Sequence, residues 1–255
     1  MSESEKQSKG PRSRRKGIYL LPNLVTTGAL FAGFYSMIAA IDGNFSRAAI
    51  AIFVAMLLDW ADGWVARMTS TSSEFGKEFD SLADMVSFGL TPAIVTYQWG
   101  VERLSEYGGT WEKLGWLAAF LYVAAAAFRL ARFNSNVSWT DRQFFQGLPT
   151  PAAAGVIAGM VWASSHYGID GLSALVAGIS VTAAAGALMV SRFSYRSLKG
   201  VKPSQQLRFT QLLLIPILFI ILAIEVQVTS FVLFALYAAS GPATWLWRRR
   251  RRGQR

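Results

Sequence analysis

A chain of 255 residues that is 53% hydrophobic and only 16% charged, with a mean hydropathy of +0.33, carries more apolar surface than one soluble core of this size can hide, which excludes an ordinary water-soluble domain. The lack of cysteine excludes disulfides, thiolate metal sites and a thiol nucleophile, and the single His166 leaves at most one nitrogen donor for a metal. The net charge of +10 would suit nucleic acid, but the basic residues collect at the chain ends and between apolar stretches, which points to anionic lipid headgroups and to no nucleic-acid partner.

Residues 1–16 are rich in Ser, Lys, Arg and Glu and read as a disordered basic cytoplasmic tail. No small-residue cleavage site follows the first apolar run, so this tail reads as a flank rather than a signal peptide. Residues 17–247 read as a transmembrane catalytic domain and 248–255 as a second basic cytoplasmic tail. Within the domain, apolar segments recur at about 20 residues, the length that crosses ~30 Å of hydrocarbon. About eight are expected: Tyr19–Ile41, Phe45–Val65, Ala83–Gly100, Leu114–Leu130, Leu148–Ser165, Leu172–Val190, Phe209–Ile224 and Val228–Trp247. Pro92 interrupts the third, and Pro149 with Pro151 the fifth, while the sixth is rich in the Ala and Gly that suit close helix packing. The fold class expected is an all-α, polytopic membrane protein.

Short cytoplasmic loops carry an excess of Lys and Arg. The N-terminal tail, Arg67 with Lys77, the stretch from Arg129 to Arg142, that from Arg192 to Arg208 and the run Arg248 to Arg252 all fall on one side if eight spans alternate. Asp42, Glu102, Glu106, Glu112, Asp170 and Glu225 fall on the other. Both termini are then cytoplasmic, and the protein belongs in the cell (inner) membrane. Trp99, Trp111, Trp245 and Trp247 read as an interfacial belt, and His166 as interfacial too.

An ionisable residue inside an apolar span costs at least ~2.5 kcal/mol and marks function by default. Asp59 and Asp62 are three apart and share one helix face, with Gly63 and Ala66 clearing space beside them; Asp80 and Asp84 are four apart and share another. A polar turn joins the two helices, so the acidic faces converge. Four such carboxylates repel unless a cation neutralises them, and an all-oxygen ligand set suits Mg²⁺ or Mn²⁺. Two such ions would grip a pyrophosphate, stabilise the leaving group and polarise the phosphorus under attack. Arg67, the one cation of the segment, is placed to meet a phosphate oxygen.

The segment D-x-x-D-G-x-x-A-R-x8-G-x-x-x-D-x-x-x-D, formed by Asp59, Asp62, Gly63, Ala66, Arg67, Gly76, Asp80 and Asp84, resembles the signature of the CDP-alcohol phosphotransferase family at every fixed position. The resemblance implies that Asp59, Asp62 and Asp80 ligate two divalent ions and that Asp84 ligates or acts as base. It also implies that Gly63, Ala66, Arg67 and Gly76 shape the site for the CDP moiety, and that the protein is a homodimer. An ordinary carboxylate is a weak base toward an alcohol, so Asp84 could equally serve only to orient the hydroxyl. An intramembrane ion pathway or a structural Asp–Arg network would explain the acids but not the Gly and Ala at fixed offsets.

Three further stretches resemble the phosphatidylserine synthase branch: residues 84–92, Arg129-Leu-Ala-Arg132-Phe-Asn134, and Gly147-Leu-Pro-Thr-Pro151. They imply CDP-diacylglycerol and L-serine as substrates. Serine brings a carboxylate that needs a cation, so Arg129, Arg132 and Asn134 are candidates for the acceptor site; the same arginines also satisfy the positive-inside pattern by snorkelling, and the prolines also read as a helix start. Asn23 and Thr26 resemble a substrate-proximal segment and read equally as a cap. Arg196, Lys199 and Lys202 read as a solvated loop facing lipid headgroups. Two rivals remain: a sister enzyme that uses glycerol-3-phosphate or inositol phosphate, and a non-enzymatic transporter or scaffold.

Overall fold

In hydrocarbon the backbone must satisfy its own N–H and C=O groups, and this chain does so almost wholly with helices. The computed structural model describes residues 20–69, 73–101, 103, 107–135, 144–169, 171–196 and 225–252. The helices are α1 (Leu20–Ile41), α2 (Phe45–Thr69), α3 (Glu74–Asp84), α4 (Thr91–Thr96), α5 (Gly109–Ser135), α6 (Thr150–His166), α7 (Leu172–Val190) and α8 (Val226–Arg252). Among the described residues, α1, α2, α5, α7 and α8 are long and apolar enough to cross a membrane. The expected span at Phe209–Ile224 and the basic tail at residues 1–16 lie outside the described residues, as do Lys199 and Lys202.

The packing is inverted relative to a soluble protein. The large side chains Leu24, Phe31 and Phe128 point outward, whereas the core is built of alanines such as Ala39, Ala40, Ala48, Ala49 and Ala55, with Ile52 and Phe88 between them. Lipid solvates large apolar groups as well as a core does, so what belongs inside is whatever lets backbones approach. Helix α6, buried along most of its length from Thr150 to Val161, is the central post, packed by α2, α7 and α8. At Gly159 an added Cβ would lie 2.7 Å from the Phe231 Cα of α8, a separation that glycine alone permits.

The third expected span begins earlier than its apolar stretch, at Glu74, and runs without a break to Val101. Pro92 does not interrupt it: the helix widens to π-helical turns at Met85–Leu90 and Tyr97–Val101 on either side, and the carbonyl four residues before the proline, that of Phe88, accepts from the Tyr122 hydroxyl at 2.9 Å. Pro149 and Pro151 likewise flank the start of α6. One element departs from the all-helical expectation: a two-stranded antiparallel ribbon, β1 (Phe144–Gln146) with β2 (Ser194–Arg196), pairing Phe144 with Arg196 and Gln146 with Ser194. The two connections meet at one end of the bundle, and pairing satisfies their backbone groups.

Candidate metal and phosphate site

The acids come from two consecutive helices, α2 ending at Thr69 and α3 beginning at Glu74. Ser73 starts α3 as its N-cap, its hydroxyl accepting from the Gly76 N–H at 3.0 Å. Asp80 of α3 stands against α2, and carboxylate oxygens of Asp59, Asp62 and Asp80 all lie within 4.8 Å of one another. In an octahedral Mg²⁺ shell built on ~2.1 Å bonds, neighbouring ligands stand about 3.0 Å apart and opposite ones about 4.2 Å, so the three oxygens would have to close in by up to about 2 Å to share one ion. The donors are oxygens only, which fits a hard divalent ion. Asp84 is outside that group of three but within hydrogen-bonding reach of Asp59, and close enough to Asp80 and Arg129 to feel their charges.

Helix α1 clamps both acid-bearing helices. Thr26, 5% exposed, donates to Asp62 Oδ2 at 2.6 Å, with the Pro22 carbonyl at 3.0 Å as its alternative acceptor. Asn23 leans over the start of α3, its Oδ1 3.4 Å from where a Cβ on Gly76 would stand. Further along, Ser87 donates to the Ala29 carbonyl and Thr91 to the Gly33 carbonyl, both at 3.2 Å. A Cβ on Gly33 would come within 2.9 Å of the Ser87 Cα, so the close approach needs glycine there. Thr26 is therefore inside the helix with its side chain on an acid, not at a cap; the sequence offered both readings.

On the other side of the motif, Arg67 is exposed near the end of α2 and folds back over Gly63, where an added Cβ would lie 3.4 Å from its Nη1. Ala66 is half-buried on the same turn. The glycine and alanine keep this face of α2 low beside the acids.

The three acceptor candidates separate. Arg129 points inward: its Nη1 donates to Thr150 Oγ1 at 2.5 Å, its Nε is buried with no hydrogen-bond partner, and Asp84, Tyr122 and Tyr237 are close enough to feel its charge. Arg132 instead donates to the Gln146 side chain of the ribbon. Asn134, exposed at the end of α5, donates to Ser81 Oγ at 2.9 Å and so ties that end to the residue beside Asp80. Sequence reasoning singled out none of Ser81, Tyr122, Gln146, Thr150 or Tyr237 individually. The available signal was a phenol inside an apolar span, which needs a partner: Tyr122 donates to the Phe88 carbonyl in the π-helical stretch at 2.9 Å.

Residues 19–193 match the family model described as CDP-alcohol phosphatidyltransferase. A protein of Helicobacter pylori strain J99 named CDP-diacylglycerol–serine O-phosphatidyltransferase is 36% identical over 205 residues, 80% of this chain and 83% of its own. Its counterpart of the same name from a second Helicobacter pylori strain is 33% identical over 230 residues, 90% and 92% of the two chains. An archaetidylserine synthase of Methanothermobacter thermautotrophicus is 34% identical over 186 residues, 72% of each. The family match covers every acid of the converging pair of helices and the clamp that α1 makes on them, and the chain belongs to the CDP-alcohol phosphatidyltransferase family.

Proposed function

We propose that this protein transfers the phosphatidyl group of CDP-diacylglycerol to the hydroxyl of L-serine, releasing phosphatidylserine and CMP. The observation that carries the reading is the convergence of Asp59, Asp62 and Asp80 from two membrane helices within 4.8 Å, in a chain similar over most of its length to proteins whose names specify serine.

Asp59, Asp62 and Asp80 would hold two divalent ions, Mg²⁺ or Mn²⁺, with Asp84 serving as a further ligand or as the base. When bound, the ions neutralise the pyrophosphate and stabilise the departing CMP. Gly63, Ala66 and Gly76 leave room for the CDP moiety, and Arg67, exposed near the helix end, meets a phosphate oxygen. Arg129 takes the serine carboxylate. Asp84, near Asp59, Asp80 and Arg129, takes the hydroxyl proton as the serine oxygen bonds to the lipid-side phosphorus and the phosphorus–oxygen bond to CMP breaks.

The same reading places the active site and both termini at the cytoplasmic face of the inner membrane, in a homodimer of eight-span subunits, with residues 17–247 as the catalytic domain between two basic tails. Strand β2 lies beside the middle of α8, where Tyr195 donates to the Ala238 carbonyl at 2.9 Å. Helix α8 begins at the opposite end, where Tyr167 donates to Glu225 at 2.6 Å. Residues 197–224 lie outside the described residues and contain the apolar stretch Phe209–Ile224.

The test is to incubate purified protein with CDP-diacylglycerol, Mg²⁺ or Mn²⁺, and in turn L-serine, glycerol-3-phosphate and inositol phosphate, and to measure CMP and lipid product. Turnover is expected with serine alone. Turnover only with a phosphorylated acceptor would replace serine, and no consumption of the CDP-lipid with any acceptor would overturn the enzymatic reading.

A further inference from the structure

Resting on the serine reading above, we propose that Thr150 is a positioning residue for the acceptor, its buried hydroxyl fixing the Arg129 guanidinium so that the edge left without a protein partner is held ready for the acceptor's carboxylate. Thr150 is fully buried at the first position of α6. Its hydroxyl is not used to start that helix, since Pro149 occupies the N-cap and no side-chain cap bond forms. It is used on Arg129, at 2.5 Å.

The turn that carries Thr150 is anchored from two directions. Gly147 N–H donates to the Phe193 carbonyl at 2.9 Å and Leu148 N–H to the Leu188 carbonyl at 3.0 Å, while Pro149 presets its own φ at −57°. A threonine on so constrained a backbone holds its hydroxyl in one place. Arg129 is otherwise a long side chain with many rotamers, and a guanidinium that is already ordered loses less freedom when it binds.

Two observations point to a ligand on the remaining edge. The Arg129 Nε is a buried donor with no partner, a costly arrangement that a carboxylate relieves, because the guanidinium fork matches two carboxylate oxygens. Asp84 lies close to the same guanidinium, and serine carries its hydroxyl and carboxylate only three bonds apart, so one small molecule reaches both.

Steady-state kinetics on the full-length protein test this, with L-serine and CDP-diacylglycerol varied separately. Thr150→Val, which keeps the shape and loses the hydroxyl, is expected to raise the KM for serine roughly tenfold, the weight of one hydrogen bond to a charged group, with kcat and the KM for CDP-diacylglycerol within about twofold of wild type. Thr150→Ser is expected to restore the serine KM. An unchanged serine KM in Thr150→Val, an equal rise in the KM for both substrates, or a Thr150→Ser variant as impaired as Thr150→Val would overturn the positioning role. Should Thr150→Val not accumulate folded, Thr150→Ala carries the same comparison against Thr150→Ser. If the wild type itself does not turn over serine, the serine reading falls and this inference with it, so the two failures are distinguishable in one data set.

Discussion

Asp62 owes its orientation to a hydroxyl 36 positions away in the chain: the Thr26 Oγ1 donates to it at 2.6 Å from another helix. A group that orients a metal ligand typically changes metal affinity by 10–100-fold when lost. Thr26→Val is therefore expected to raise the Mn²⁺ concentration giving half-maximal activity about tenfold and to weaken direct Mn²⁺ binding followed by paramagnetic resonance, whereas Thr26→Ser leaves both near wild type. Loss of activity with unchanged Mn²⁺ binding would assign Thr26 to the substrate instead. Asp59→Asn, Asp62→Asn and Asp80→Asn are each expected to abolish product while the protein remains folded in size-exclusion chromatography, and normal turnover by any one removes that residue from the ligand set. The acids were legible in the sequence because intervals of three and four put side chains on one helix face. Their hydroxyl partner was legible only as a candidate, since no local rule links Thr26 to Asp62.

At the scale of elements, the apolar stretches fall within helices over most of the chain, and Leu172–Val190 has the same limits in both. The departure at α3 has a plain cause. Its residues before Ala83 carry acids on one face and Phe75, Phe79 and Leu82 among the others, so an average over the stretch is polar although the helix is continuous. The turn before α6 is the element most dependent on a single residue. Gly147 has φ +78°, and a Cβ there would stand 2.1 Å from the Met189 carbonyl oxygen. Gly147→Ala combines left-handed backbone strain of about 1–3 kcal/mol with a collision against backbone that cannot swing away, and is expected to lower the thermal midpoint sharply or prevent accumulation. Tyr122→Phe removes one hydrogen bond to the Phe88 carbonyl and is expected to cost about 1 kcal/mol, a fall of a few degrees by the same measurement.

At the scale of the molecule, the cysteine-free chain makes its topology directly measurable, because each introduced cysteine is the only one. Gly109→Cys, at the exposed start of α5, is expected to react with a membrane-impermeant maleimide in intact cells, and Arg250→Cys, in the basic end of α8, only after permeabilisation. The reverse pattern would invert the orientation. Composition and spacing alone determined that the protein is helical and membrane-embedded and that an acidic, metal-compatible site lies on paired helices, because hydropathy and helical periodicity act over a few turns and are written in consecutive residues. The tertiary structure decided which of three acceptor candidates faces the acids, that α1 clamps both acidic helices, and that Thr150 meets Arg129. Those contacts join residues 21 to 58 positions apart, and they depend on which small residues let which backbones approach, a property of packed pairs that no single segment carries.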